Sequence, residues 1–323
     1  MKIVVLDGYT LNPGDLTWDG LKQIGDLVVY DRTTYDKDDD KIIIDRIQDA
    51  DVVFTNKTPL SKNVINKAVN LKFIGVLATG YNVVDVEAAR ERKVVVTNIP
   101  TYGTDSVAQM AIALMLELCE HVGDHDKSVK NGEWSNNQDW CYWKHPLVEL
   151  SGKTMGIIGY GRIGQSTGKI AQAMNMNVLA YDVYKDEKLE NSMMKYTEID
   201  DLIARSDVIV LHCPLFKDTK DIISKKNIDK MKRGVMIINN SRGGLIVEKD
   251  LAEALNSGKV AGAAVDVVST EPIKKDNPLL TAKNCIITPH ISWAPVESRK
   301  RLMDIAIYNL EKFIDGSPVN VVS

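Results

Sequence analysis

The sequence predicts an α/β protein made of two doubly wound parallel-sheet domains, one inserted into the other. Three observations lead there. At 323 residues the chain is about twice a typical domain length. Short β-branched runs ending in turn residues alternate with helical patterns through both halves. A long apolar helical stretch precedes the second set of runs, and a matching amphipathic one follows it.

In the first half the predicted strands are 2–7, 27–31, 52–55, 73–78 and 94–98. In the second they are 154–159, 177–182, 208–213, 235–240, 261–267 and 285–288. Strands alternating with helices are the signature of parallel sheets covered on both faces. The stretch 106–121 is too long for a strand and free of Gly and Pro until Gly123, which predicts a buried connecting helix. Residues 297–314 carry Leu302, Ile305, Ala306, Leu310 and Phe313 at helical spacing and predict the closing helix. The expected division is 1–98 with 291–323 as one domain and 99–290 as the other, with a cleft between them. The segment 131–143, rich in Trp, Asn and Gln, is expected to be a long loop.

Composition narrows the function. A formal charge of −4 argues against a nucleic-acid platform, which needs clustered surplus Lys and Arg. Cys119, Cys141, Cys213 and Cys285 are scattered without a CxxC pair, so neither a zinc site nor a disulfide framework is expected. Reduced thiols and an N-terminus that reads directly into a strand, without signal-peptide features, predict a cytoplasmic protein. The longest apolar run, 107–116, is interrupted by Gln109 and is short of the roughly 20 residues a bilayer needs. The expected partner is a small molecule.

Gly159-Tyr160-Gly161-Arg162-Ile163-Gly164 follows a strand and opens a helical pattern, the context in which GxGxxG builds a Rossmann dinucleotide turn. Gly159 allows the tight turn, Gly161 lets backbone approach a pyrophosphate, and Gly164 lets helix pack on strand. Free N–H groups near Arg162 and Ile163 would face the anion. The motif alone is weak, but Asp182 closes the next strand, with 17 residues between Gly164 and it, where a carboxylate accepts both ribose hydroxyls. That favours NAD, with Lys185 nearby leaving NADP open.

Arg242, Glu271 and His290 sit at ends of predicted strands, where ligands of open α/β sheets bind. A guanidinium grips a carboxylate in bidentate fashion and polarises a ketone. A histidine, with an ordinary pKa of about 6.5, can protonate a carbonyl oxygen as hydride arrives. A carboxylate beside it orients the ring and stabilises its charged form, which makes Glu271 the candidate partner. Standing alone, Arg242 would be a surface turn residue and His290 a structural histidine.

Together these residues resemble the D-isomer-specific 2-hydroxyacid dehydrogenases over essentially the whole chain: an Arg in Asn-x-x-Arg-Gly, a Glu before Pro, and Thr-Pro-His, in order after the dinucleotide turn. The resemblance implies a Rossmann NAD domain inserted into a flavodoxin-like substrate domain. It implies that backbone N–H groups of Thr79, Gly80 and Tyr81 hold the substrate carboxylate opposite Arg242. It also implies that Asp266 accepts from the nicotinamide carboxamide while Thr104, Cys213 and Asn240 line the cofactor site, and that the protein is a homodimer with 106–121 and the aromatic loop as interface. Within the family, the stretch 101–109 and the loop ending Trp140-Cys141-Tyr142-Trp143 look most like glycerate dehydrogenases, the hydroxypyruvate reductases; Gln109 and Asn82 depart from the usual Glu and Asp. The expected reaction is therefore NADH-dependent reduction of hydroxypyruvate or a similar 2-keto acid, with no metal. The alternatives are a D-lactate or branched-chain 2-keto acid dehydrogenase, or an NADH-sensing binding protein.

Overall fold

All eleven predicted runs form strands in the structure, a computed structural model describing residues 1–323. Every pairing between them is parallel. The first sheet contains β1 (Lys2–Val5), β2 (Asp26–Val29), β3 (Val52–Thr55), β4 (Phe73–Val76) and β5 (Val95–Thr97) in the order β2-β1-β3-β4-β5. That is the flavodoxin-like order. The second contains β6 (Thr154–Ile158), β7 (Asn177–Tyr181), β8 (Met194–Tyr196), β9 (Val208–Leu211), β10 (Val235–Asn239), β11 (Val260–Val265) and β12 (Cys285–Ile287). Its order is β12-β11-β10-β9-β6-β7-β8, the Rossmann order with a seventh strand added.

The strands read as nearly continuous apolar runs because both faces of each sheet are covered. In the second sheet Ile158, Leu211, Ile237 and Val265 face one core, and Ile157, Val210, Ile238 and Ala264 face the other. Each fully buried aliphatic side chain of this kind contributes about 1.5–3 kcal/mol. β8 carried no such signal. It is a three-residue edge strand with Lys195 exposed, so neither alternation nor an apolar run marked it.

The chain divides into Met1–Gly103 with Ala294–Ser323, and Thr104–Trp293. These boundaries fall a few residues beyond the expected 98/99 and 290/291, and local hydrogen bonds explain why. Asn98 N donates to Asn320 O and Ile99 N to Ala78 O, which keeps the stretch after β5 on the first unit. Ile291 and Ser292 are tied by their N–H groups to Asp266 in the second. The helix Val296–Ile314 joins the first unit by burying Leu302, Met303, Ala306 and Leu310. Its Arg299 donates to Leu11 O and pairs with Asp15, holding that exposed carboxylate below its usual range chiefly through the hydrogen bond. The helix Thr104–Glu120 buries Ala108, Ala111, Ile112, Met115, Leu118 and Cys119 within the second unit. No helix is long and apolar enough to cross a membrane.

Candidate active site

In the second unit the strand order reverses between β6 and β9, and the chain leaving each strand there forms the switch-point crevice where α/β proteins bind ligands. Gly159 leaves β6 with φ +96°, in the left-handed region, and a Cβ on it would lie 2.6 Å from His212 C and collide with Cys213 N. Gly164 similarly has no room against Gly159 O. At Gly161 the situation is the opposite: a Cβ would meet nothing within 4 Å. Gly161 is the N-cap of the helix Arg162–Ala173 and supplies no side-chain cap, so the first N–H groups, including those of Arg162 and Ile163, lack intrahelical acceptors.

Asp182 stands just after β7, its Oδ2 accepting from Tyr160 N at 2.6 Å and its Oδ1 from Tyr184 N at 3.2 Å. A carboxylate has about four acceptor sites, so two remain for ribose hydroxyls. Lys185, the residue that left NADP open, gives its Nζ to Glu198 at 2.7 Å. An uncapped helix N-terminus, open space at Gly161 and a strand-end carboxylate form a donor and acceptor set that fits NAD.

The neighbouring polar groups have surroundings of their own. His212 Nε2 meets Thr167 Oγ1 at 2.8 Å, and burial pushes its pKa down to about 3. Cys213 is buried, with its thiol raised to about 11 by desolvation, and its carbonyl accepts from Ser241 Oγ at 2.6 Å. Asn240 donates to Val107 O at 2.8 Å and to Ser292 Oγ at 3.3 Å, while its Oδ1 has no partner. Thr104 opens its helix, half-buried.

The structure brings His290 and Glu271 together: His290 Nδ1 lies 2.7 Å from Glu271 Oε2. The histidine follows β12 with φ +55°, a conformation that costs a non-glycine residue about 1–2 kcal/mol. Asp266, only 1% exposed, supports it. Its Oδ1 accepts from Thr288 Oγ1 (2.5 Å) and Ile291 N (2.9 Å), and its Oδ2 from Ser292 N (2.8 Å). Three of the carboxylate's acceptor sites thus hold the His290 turn, and one on Oδ2 remains. This anchoring task was not foreseen for Asp266. Thr288 entered the sequence analysis only as part of the Thr-Pro-His motif and Ser292 not at all, because the task of each depends on a distant carboxylate.

Arg242 leaves the strand end of β10 exposed, with Nη1 donating to Ser241 O at 2.8 Å. Asn239 closes its turn by donating to Arg242 O and accepting from Ser241 N. Backbone packing of Gly243 on Val268 and Ser269 sets the Arg242 turn against the loop that carries Glu271. In the first unit, Thr79, Gly80 and Tyr81 occupy the loop after β4. Thr79 Oγ1 donates to Ile99 O at 2.7 Å, and Tyr81 is 40% exposed. No cluster of side chains could hold a metal ion.

Residues 112–292 match the family model described as the D-isomer specific 2-hydroxyacid dehydrogenase, NAD binding domain. A hydroxypyruvate reductase of Blautia hydrogenotrophica is 66% identical over 323 residues, covering 100% of both chains. A glycerate dehydrogenase of Methylorubrum extorquens is 39% identical over 282 residues, covering 87% of this chain and 88% of its own. Among solved structures, a D-isomer specific 2-hydroxyacid dehydrogenase from Polaromonas superposes with a TM-score of 0.89 at 28% identity, over 100% of this chain and 99% of the other. The chain belongs to the D-isomer specific 2-hydroxyacid dehydrogenase family, and residues 112–292 are its NAD-binding domain.

Proposed function

We propose that the protein reduces hydroxypyruvate to D-glycerate with NADH, and runs the reverse reaction with NAD. The observation that carries the chemistry is the 2.7 Å contact between His290 and Glu271 at a strand end of the NAD-binding domain. The choice of substrate rests on the full-length likeness to a hydroxypyruvate reductase.

When bound, the cofactor supplies a hydride equivalent. The residues of the chain do the rest. With Nδ1 given to Glu271, His290 is left Nε2 as the nitrogen that hands its proton to the carbonyl oxygen while C2 gains hydride and the C=O π bond breaks. Glu271 fixes the ring and stabilises the imidazolium before transfer. Arg242, whose present bond to a backbone carbonyl is readily exchanged, grips the substrate carboxylate and offsets charge developing on the oxygen. In the first unit, backbone N–H groups of Thr79, Gly80 and Tyr81 are carboxylate donors in the same proposal. Gly159, Gly161, Arg162, Ile163 and Gly164 cradle the pyrophosphate, and Asp182 holds the ribose. The spare Oδ2 site of Asp266 takes the nicotinamide carboxamide, and Thr104, Cys213 and Asn240 line the pocket.

The deciding experiment is a steady-state panel of 2-keto acids with NADH and NADPH. Hydroxypyruvate with NADH is expected to give the highest kcat/KM. Preference for pyruvate or a branched-chain acid would reassign the substrate, and tight NADH binding without turnover would make the protein a sensor. The dyad has its own test: Glu271→Gln should move the basic limb of the reduction profile to lower pH, because the imidazolium loses its carboxylate. An unmoved limb rejects the pair.

Homodimerisation belongs to the same proposal. The segment 131–143, after the helix Val122–Lys130, exposes Trp134, Trp140 and Trp143 by 51%, 86% and 67%. Large apolar side chains gathered in one segment mark an interaction surface. A monomeric sedimentation profile at assay concentration would remove this part. The four free cysteines agree with a reducing, cytoplasmic location.

A further inference from the structure

The loop from 268 to 277 carries Glu271 and contains no helix or strand. Two of its contacts bear on the groups assigned to the reaction. Val268 N donates to Glu271 Oε1 at 3.3 Å, bracing the carboxylate whose other oxygen meets His290. Gly243, the residue after Arg242, lies so close to Val268 and Ser269 that a Cβ on it would collide with their backbone atoms. The seats of Glu271 and Arg242 therefore share the Val268–Ser269 backbone.

One side chain ties this loop at both ends. Glu248, the first residue of the helix Glu248–Ser257, accepts from Ser269 N at 2.7 Å through Oε1. Its Oε2 accepts from Ser269 Oγ at 2.8 Å and from Asn277 Nδ2 at 3.1 Å. Ser269 stands two residues before Glu271 and Asn277 six after it. Asn277 is 9% exposed and uses its own Oδ1 to accept from Leu279 N, so its position is fixed on the far side. Hydrogen bonds to a carboxylate are stronger than neutral ones. A surface pocket of about 190 Å³, open to solvent, lies between Glu248 and Ser269, Thr270, Lys274 and Asp276.

We infer that Glu248 is a positioning residue for the reaction: by clamping Ser269 and Asn277 it holds Glu271 against His290 and seats the turn of Arg242. Glu248 touches neither His290 nor the substrate in this scheme, and it acts through the loop alone. The inference rests on His290 and Glu271 being the proton-donating pair.

The test is the pH profile of hydroxypyruvate reduction by NADH for wild type, Glu248→Gln, Glu248→Ala and Glu271→Gln, with NADH dissociation constants from fluorescence titration. Glu248→Ala is expected to lower kcat about tenfold and to move the basic limb in the same direction as Glu271→Gln by a smaller amount. NADH affinity should stay within about twofold, a split that mere loss of stability does not produce. Glu248→Gln keeps the size of the side chain and an acceptor for Ser269 N but loses the acceptors for Ser269 Oγ and Asn277, and should fall between. If the alanine variant does not fold, the glutamine variant carries the same readout. A wild-type limb in the folded Glu248 variants, with a shifted one in Glu271→Gln, overturns the role of Glu248 and leaves the dyad standing. An unshifted limb in Glu271→Gln overturns both.

Discussion

The turn at Gly159 and the turn at His290 do a similar task by different means. Each carries the chain off a parallel strand with positive φ, +96° in one case and +55° in the other. At Gly159 the conformation follows from the residue itself, since glycine enters this region without penalty and its missing side chain lets Cys213 approach. At His290 a bulky ring must be presented, so glycine is unusable, and a buried carboxylate from β11's end supplies the support instead. The Gly159 turn needs absence of atoms; the His290 turn needs atoms held in place. The first can be written in one residue, whereas the second requires a partner.

Breaking the glycine turn should have the largest effect. Gly159→Ala would put a methyl group into Cys213 N and His212 C at an unfavourable φ, and should cost about 4 kcal/mol with loss of NADH binding. Denaturant unfolding and NADH fluorescence check it; wild-type values in both would show that the turn relaxes freely. Asp266→Ala comes next. It strands the Thr288 hydroxyl and the Ile291 and Ser292 N–H groups, which at partial rehydration should cost about 2–3 kcal/mol and lower kcat more than the glycine variant's residual fold would suggest. Stability unchanged by this substitution would mean that the His290 turn holds itself.

His290→Gly sharpens the contrast from the other side. Glycine relieves the left-handed strain, so stability should stay within about 1 kcal/mol of wild type, or rise, while reduction is abolished. A larger loss of stability would show that the ring itself holds the turn together.

At neutral pH the smallest effect is that of the support behind the glycine turn, which shows only as pH falls. Burial holds His212 at about 3, below the unfolded imidazole value of about 6.5. The unfolded chain therefore takes up a proton that the folded chain refuses, and the stability involved is present above about pH 6.5 and lost as pH falls toward about 3. The slope should be at most about 1.4 kcal/mol per pH unit from this group, and His212→Gln should flatten it. Equal slopes in the two proteins, measured by urea unfolding between about pH 6 and 4, would mean that the folded state protonates His212 without penalty.

Much of the candidate site was legible because its signals are local. The dinucleotide turn lies within six consecutive residues, and Asp182 is marked by following the next strand. His290, Glu271 and Arg242 were identifiable as polar residues at strand ends. What escaped were groups whose importance depends on a distant backbone atom: Asp266 as an anchor, Thr288 and Ser292 as its donors, Glu248 as the tie of the Glu271 loop. β8 escaped for another reason, being too short and too exposed to leave a pattern.

The sequence by itself determined eleven of the twelve strands, their order and the chemistry available at each strand end, since hydrophobic periodicity and glycine spacing act between near neighbours in the chain. Tertiary structure alone decided which strand ends became neighbours. Parallel pairing lays β10, β11 and β12 side by side, and this brings together His290 and Glu271, 19 residues apart, and Asp266 and Ser292, 26 apart. No repeat along the chain encodes that adjacency. It follows from burying both faces of the sheet at once, a condition that the whole domain satisfies together.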